Sequence, residues 1–280
     1  MNEDQKTLWN GTAGRAWVET QQLLDQVFEP MEQLLVKAIP TGSACRVLDV
    51  GCGTGGTTVA ATRRLGKSGQ ALGVDISEPM IEAARTRAEQ AGSVATFLCA
   101  DAQHHAFDAA SFDVILSRFG VMFFDDTGQA MSNLRRAASS GAELRLLAWR
   151  SPEDNSFMTT AERAAAPLLP SLPERRPDTP GQFAFADAQR VGRILEGSGW
   201  LDIDARPVDI ACTFPESELS LYMTRLGPLA RVLPDVDERT RARIIETVRQ
   251  AFQPYVHRAQ VRFTAACWLL GARAPKEIET

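Results

Sequence analysis

The chain has 280 residues, 44% of them hydrophobic, enough to bury one large core and an appendage, and its formal net charge is −5. That balance argues against a nucleic-acid or anionic-membrane surface, both of which need clustered cations. Arg135-Arg136, Arg175-Arg176 and Arg239 to Arg243 lie among acids or on helical patterns and read as solvated faces.

Met1 to Lys6 is polar and acidic, unlike a secretion signal, and no apolar run approaches the roughly 20 residues needed to span a bilayer. A cytoplasmic location is expected. Residues 1–40 carry an amphipathic stretch, Trp17, Leu24, Val27, Phe28, Met31 and Leu34, expected to form an N-terminal helical lid. Strands and helices then alternate through the remaining domain, residues 41–280. Val47 to Val50 reads as a first strand and Thr57 to Leu65 as a helix stopped by Gly66. Ala71 to Val74 is a second strand, after which Ser77 caps a helix carrying Met80, Ile81, Ala84 and Ala88 inward. Val94 to Cys99, Phe112 to Leu116 and Leu144 to Trp149 make three more strands. A helix at Gln129 to Ala138 and a Ser139-Ser140-Gly141 turn precede the last of these.

Beyond Trp149 the chain is more individual. Two cap insertions are expected, at 151–185 with a helix at Ser156 to Ala165, and at 214–257 with helical spacing at Leu219, Met223, Leu226 and at Ile244, Ile245, Val248, Phe252. Ile203 to Cys212 alternates apolar and polar residues and contains Pro207, as in an edge strand, whereas Phe263 to Leu270 is apolar at both parities, as in an interior one. The five cysteines, Cys45, Cys52, Cys99, Cys212 and Cys267, form no C-x-x-C pair and suggest neither a metal site nor a disulfide framework.

Chemistry concentrates at Cys45-Arg-Val-Leu-Asp49-Val-Gly51-Cys52-Gly53-Thr-Gly55-Gly56. An apolar run ends in an acid and closely spaced glycines, so backbone N–H groups and a helix N-terminus can approach a ligand. Gly51, Gly53 and Gly56 match the dinucleotide pattern G-x-G-x-x-G, with Asp75 at a ribose-binding distance. Asp49 weighs the other way: a pyrophosphate gains nothing from a carboxylate there, while a cofactor with an ammonium group would be attracted, directly or through water.

Taken in order, these residues resemble the class I S-adenosylmethionine-dependent methyltransferases. Val47 to Gly55 is similar to that family's first motif, Gly73-Val-Asp75-Ile76-Ser77 to its second and Cys99-Ala-Asp101-Ala102 to its third. Ser117-Arg118-Phe119-Gly120-Val121-Met122-Phe123-Phe124, with Trp9 and Trp17, resembles a ubiquinone/menaquinone methyltransferase-like small-molecule subgroup whose N-terminal helix closes over the cofactor. Ser139-Ser140-Gly141 departs from the Pro-Gly-Gly turn of many relatives.

The resemblance implies an α/β, Rossmann-like, doubly wound seven-stranded sheet, mostly parallel with an antiparallel last strand, and helical lid insertions. It implies S-adenosyl-L-methionine as cofactor, S-adenosyl-L-homocysteine as product and no metal. The methionine end would lie against Asp49, Gly51, Cys52, Gly53 and Gly55. Asp75 would take the ribose hydroxyls, with Ile76 and Met80 on the adenine and Asp101 and Ala102 at its edge; Ser117 and Trp17 complete the cofactor set. Arg118, Phe119 and Phe123 are candidates for acceptor binding, and His104 or His105 for a base. The expected partner is a small-molecule acceptor, with no nucleic acid or membrane, for a monomer or homodimer. Two rival readings are a nicotinamide-dependent oxidoreductase, which Asp49 opposes, and a binder using the cofactor for other chemistry.

Overall fold

The computed structural model describes residues 3–169 and 179–276; Arg175-Arg176 and part of the proline-rich stretch in the first cap insertion lie outside them. Three N-terminal helices, α1 (Glu3–Asn10), α2 (Thr12–Glu19) and α3 (Gln21–Val36), precede β1 (Arg46–Val50), α4 (Gly56–Thr62), β2 (Gln70–Asp75), α5 (Glu78–Gln90), β3 (Thr96–Cys99), β4 (Phe112–Arg118), α6 (Thr127–Ala137) and β5 (Ala138–Trp149). The cap and closing strands follow: α7 (Ser156–Ala165), α8 (Ala188–Gly197), β6 (Leu201–Pro215), α9 (Leu219–Arg225), α10 (Gly227–Val232), α11 (Glu238–Ala251), β7 (Val256–His257) and β8 (Gln260–Arg273).

The sheet runs β3-β2-β1-β4-β5-β8-β6, with the two-residue β7 pairing β8 as an additional strand. The five strands from β3 to β5 are parallel, and β8 enters antiparallel between β5 and β6. Burial on both sides of β8 accounts for its two-parity apolar sequence, and the edge position of β6 accommodates Pro207, which lacks a donor. Strand order reverses between β1 and β4, so their carboxyl ends open a crevice.

Two local expectations resolve differently. Ser139, Ser140 and Gly141 do not form a free turn but lie inside β5: while β4 advances from Phe112 to Val114, its partner advances from Ala138 to Glu143. Gly141, at φ +70°, absorbs this bulge and donates to Pro275 O at 3.1 Å. Val94, expected in β3, lies before it and is 73% exposed, because β3 is the outermost strand and nothing packs there.

The N-terminal stretch expected as a lid divides. Leu23, Leu24, Val27, Phe28, Met31 and Leu35 of α3 are buried in the main core, whereas α1 and α2 bury only Gly14. In the segments expected as cap insertions, α11 packs on α7 and α9. Asn155 fixes the start of α7 to β8, its side chain donating to Ala266 O at 2.9 Å and accepting from Ala266 N at 3.0 Å.

Candidate active site

The turn after β1 is shaped by one close approach. Gly51, at φ +66°, faces Gly120, the residue after Phe119 at the end of β4, and a Cβ on Gly51 would stand 2.5 Å from Gly120 Cα. No side chain fits on either residue, so the first turn can lie flat against the exit of β4. Phe119 itself takes φ +65°, unusual for a bulky residue, and is held there by a parallel stack on Trp149, with ring centroids 4.3 Å apart.

Asp75 ends β2 beside this turn, its Oδ2 accepting from Gly53 N and its Oδ1 from Ser77 N, both at 2.9 Å. Burial raises its pKa, opposed by the backbone hydrogen bonds from Ser77, Gly53 and Ile76. Helix α1 is fastened to the same loop. Ser77 Oγ donates to Trp9 O at 2.6 Å and caps α5 through Met80 N, while Asn10 bridges Ile76 O and Glu78 N. Ser77→Ala is expected to cost about 1 to 2 kcal/mol in urea unfolding, through loss of the cap and of the tie to α1.

These features open onto a cavity of about 1520 Å³ at the carboxyl ends of the strands. Gly51, Cys52, Gly53, Asp75, Ile76, Met80, Asp101, Ala102 and Trp17 line it, as do Arg118, Phe119 and Phe123. Gly53 faces Trp17 Nε1 across the turn. Aromatic side chains run along one wall from Phe123 through Trp9, Trp17 and Phe28 to Phe119 and Trp149. Across the mouth, Arg225 of α9 pairs with Glu19 of α2 at 3.4 Å.

Five residues singled out in the sequence do not line the cavity. Asp49 is 1% exposed and points toward α4, where Thr58 Oγ1 donates to its Oδ2 at 2.7 Å. Gly55 caps α4 against Phe97 and Ala84. Ser117, fully buried, donates to Val50 O and accepts from Val121 N, holding β4 to β1. His104 turns out to pair with Asp101 Oδ2 at 2.7 Å, and His105 packs edge-on to Phe107. Asn133 sets this outward turn by donating to the carbonyls of Ala102 and His105. Neither histidine is among the residues that line the cavity.

Beneath the glycine turn lies a charged cluster that the sequence did not reveal. Burial pushes Asp49 up to about 6 and raises Glu32 of α3, with Arg118 opposing both shifts. Burial in turn lowers Arg118, against the fields of Glu32, Asp49 and Asp25. The guanidinium of Arg118 lies over the Phe28 ring, 5.1 Å from its centroid. Arg87 of α5 pairs with Asp25 at 2.7 Å. The site thus sets carboxylates and a guanidinium next to one another behind a backbone turn, a carboxylate with further acceptor capacity beside it, and an apolar slot at Ile76, Met80 and Ala102.

Comparison with known proteins finds methyltransferases. Residues 47–141 match the family described as "Methyltransferase domain". The chain is 32% identical over 186 residues to the aklanonic acid methyltransferase DauC of Streptomyces sp. (strain C5), spanning 62% of this chain and 83% of that protein. It is 32% identical over 102 residues to the nocamycin O-methyltransferase of Saccharothrix syringae, 36% of each chain. A solved structure of Haemonchus contortus phosphoethanolamine N-methyltransferase 2 with phosphomonomethylethanolamine and S-adenosylhomocysteine superposes with a TM-score of 0.57 at 17% identity, over 97% of this chain and 58% of that one.

Proposed function

The chain belongs to the class I S-adenosylmethionine-dependent methyltransferases, and from that premise we propose that it methylates a small-molecule acceptor inside the cleft between the sheet and the cap. The observation that carries this reading is the cavity. At about 1520 Å³ it exceeds the roughly 300 to 1,000 Å³ that one drug-sized ligand takes, leaving room for a cofactor and an acceptor side by side. The names of the aklanonic acid and nocamycin enzymes, both acting on small molecules, support the same class of acceptor.

The side chains present fit the cofactor. A zwitterionic aminoacyl tail suits the mixed charges of Asp49, Glu32 and Arg118 under the Gly51–Gly53 turn. Asp75 offers lone pairs to a diol and is oriented by Gly53 N and Ser77 N. Ile76, Met80 and Ala102 suit a purine, with Asp101 at its edge. When bound, S-adenosylmethionine supplies an electrophilic methyl group on a sulfonium. The protein's part is to hold an acceptor atom in line with it and to exclude water, for which α1, α2 and the cap would serve as covers.

Thermal shift provides the test. At a hundredfold excess over Kd, S-adenosylhomocysteine should stabilise the chain by about 2.7 kcal/mol, roughly 5 °C in Tm, while NAD should leave Tm unchanged. Stabilisation by NAD alone would overturn the reading. Labelled cofactor incubated with fractionated host extract should then mark a small molecule; label confined to macromolecules would exclude the small-molecule acceptor.

A further inference from the structure

Asp101 lines the cavity, whereas Gln103 and His104, next along the loop after β3, do not. The loop closes on itself at once: His104 N and His105 N both donate to Asp101 O, at 3.1 and 2.8 Å, and this turn carries the His104 ring back to the Asp101 carboxylate. His104 Nδ1 stands 2.7 Å from Asp101 Oδ2, while Gln103 N donates to Oδ1 at 3.0 Å. One bond would leave the carboxylate free to turn about its last torsion, which has only broad preferences; a bond on each oxygen fixes its plane. A carboxylate has about four acceptor positions, and those these two bonds leave over can serve a donor in the cavity.

Which ring nitrogen of His104 carries the proton follows from Gln103. That amide is buried, and its oxygen is identified by Asp126 N, which donates to it at 3.1 Å and could not face an NH₂ group. The nitrogen of the same amide donates to Gln129 Oε1 at 3.3 Å and lies 3.4 Å from His104 Nε2. A donor on that side requires a lone pair on Nε2, so the proton sits on Nδ1 and points at Asp101. In this tautomer the ring gives Asp101 a hydrogen bond without a compensating charge, and the carboxylate keeps its attraction for a ligand donor.

Resting on the methyltransferase reading, we propose that His104, set by Gln103, is a positioning residue for cofactor selection: it holds Asp101 so that the carboxylate accepts from the exocyclic amine of the cofactor's adenine. A purine with an oxygen at that position would meet the carboxylate acceptor to acceptor and be rejected. His104 acts from outside the cavity, through Asp101, and touches no reacting atom.

Titration calorimetry of the full chain with S-adenosylhomocysteine and with S-inosylhomocysteine, which carries a carbonyl in place of the amine, tests this. The native chain should prefer the adenine compound by at least about tenfold. His104→Leu should weaken the adenine compound roughly three- to tenfold and leave the inosine compound unchanged, which also reports that the variant is folded. His104→Asn, whose amide nitrogen stands where Nδ1 stood, should restore the preference. Equal weakening of both compounds in His104→Leu would make His104 a structural residue only, and unchanged binding of both would remove it from recognition. An asparagine variant no better than the leucine one would show that the Nδ1 donor is not what holds Asp101. A native chain that binds both compounds equally overturns the inference and leaves the cofactor reading standing; one that binds neither overturns the reading and the inference with it.

Discussion

In Asp75→Asn protein the Kd for S-adenosylhomocysteine is expected to rise between tenfold and a hundredfold, read by titration calorimetry at pH 7. A carboxylate accepting from two adjacent hydroxyls contributes roughly 1.5 to 3 kcal/mol per charge-assisted bond, and the amide keeps the shape but loses the charge. A second effect comes from within the protein. The two carboxylate oxygens accept from Gly53 N and Ser77 N, and the amide can accept only one of these, so its NH₂ faces a backbone donor. The apo protein should therefore also lose about 1 to 3 kcal/mol in urea unfolding. Asp75→Glu separates the two: it restores the charge in a longer side chain, so binding should recover less than stability if the diol needs the carboxylate in place. Unchanged cofactor affinity in Asp75→Asn would remove Asp75 from the binding site.

Much of the scaffold was legible because its signals are local. The two-parity apolar run of β8, the alternation and Pro207 of β6, and the inward quartet Met80, Ile81, Ala84 and Ala88 of α5 each follow from one segment's own period. What failed needed information from outside the segment. Ser139-Ser140-Gly141 has the composition of a turn, but a bulge asks for the same left-handed glycine, and only the register against β4 distinguishes them. At the site, strand-end positions were legible and side-chain directions were not. Successive side chains of a strand point to opposite faces, so Asp49 shares the side of Val47, toward Ala60, Ala61 and Thr58 of α4, and not the cleft. The cluster of Asp25, Glu32, Arg87 and Arg118 has no sequence signature, since its members come from α3, α5 and β4 and meet only in the fold.

Asp49 then poses a physical problem whose solution is testable. A carboxylate pushed up to about 6 by burial holds its proton in the folded chain over a range where the unfolded chain, titrating near the ordinary 3.8, has released it. Between those values the folded state binds more protons, so stability falls as pH rises through this window, by about 3 kcal/mol in all, and stays reduced above it. Thr58 and Arg118 oppose the penalty, while Glu32 and Asp75 add to it. Asp49→Asn should remove the step near pH 6 and make the apo protein more stable at pH 7, by up to about 3 kcal/mol less what Arg118 loses. A cofactor ammonium above the turn reverses the balance by favouring the ionised form. Binding to the native chain should then release a proton and weaken about tenfold from pH 7 to pH 5, whereas in Asp49→Asn affinity should sit near the low-pH level and lose this step. Opposite signs for stability and affinity in one variant would mean that the acid is kept for the ligand at the expense of the fold. A variant that binds S-adenosylhomocysteine as well as the native chain, with the same pH profile, would instead make Asp49 a structural partner of Thr58 alone.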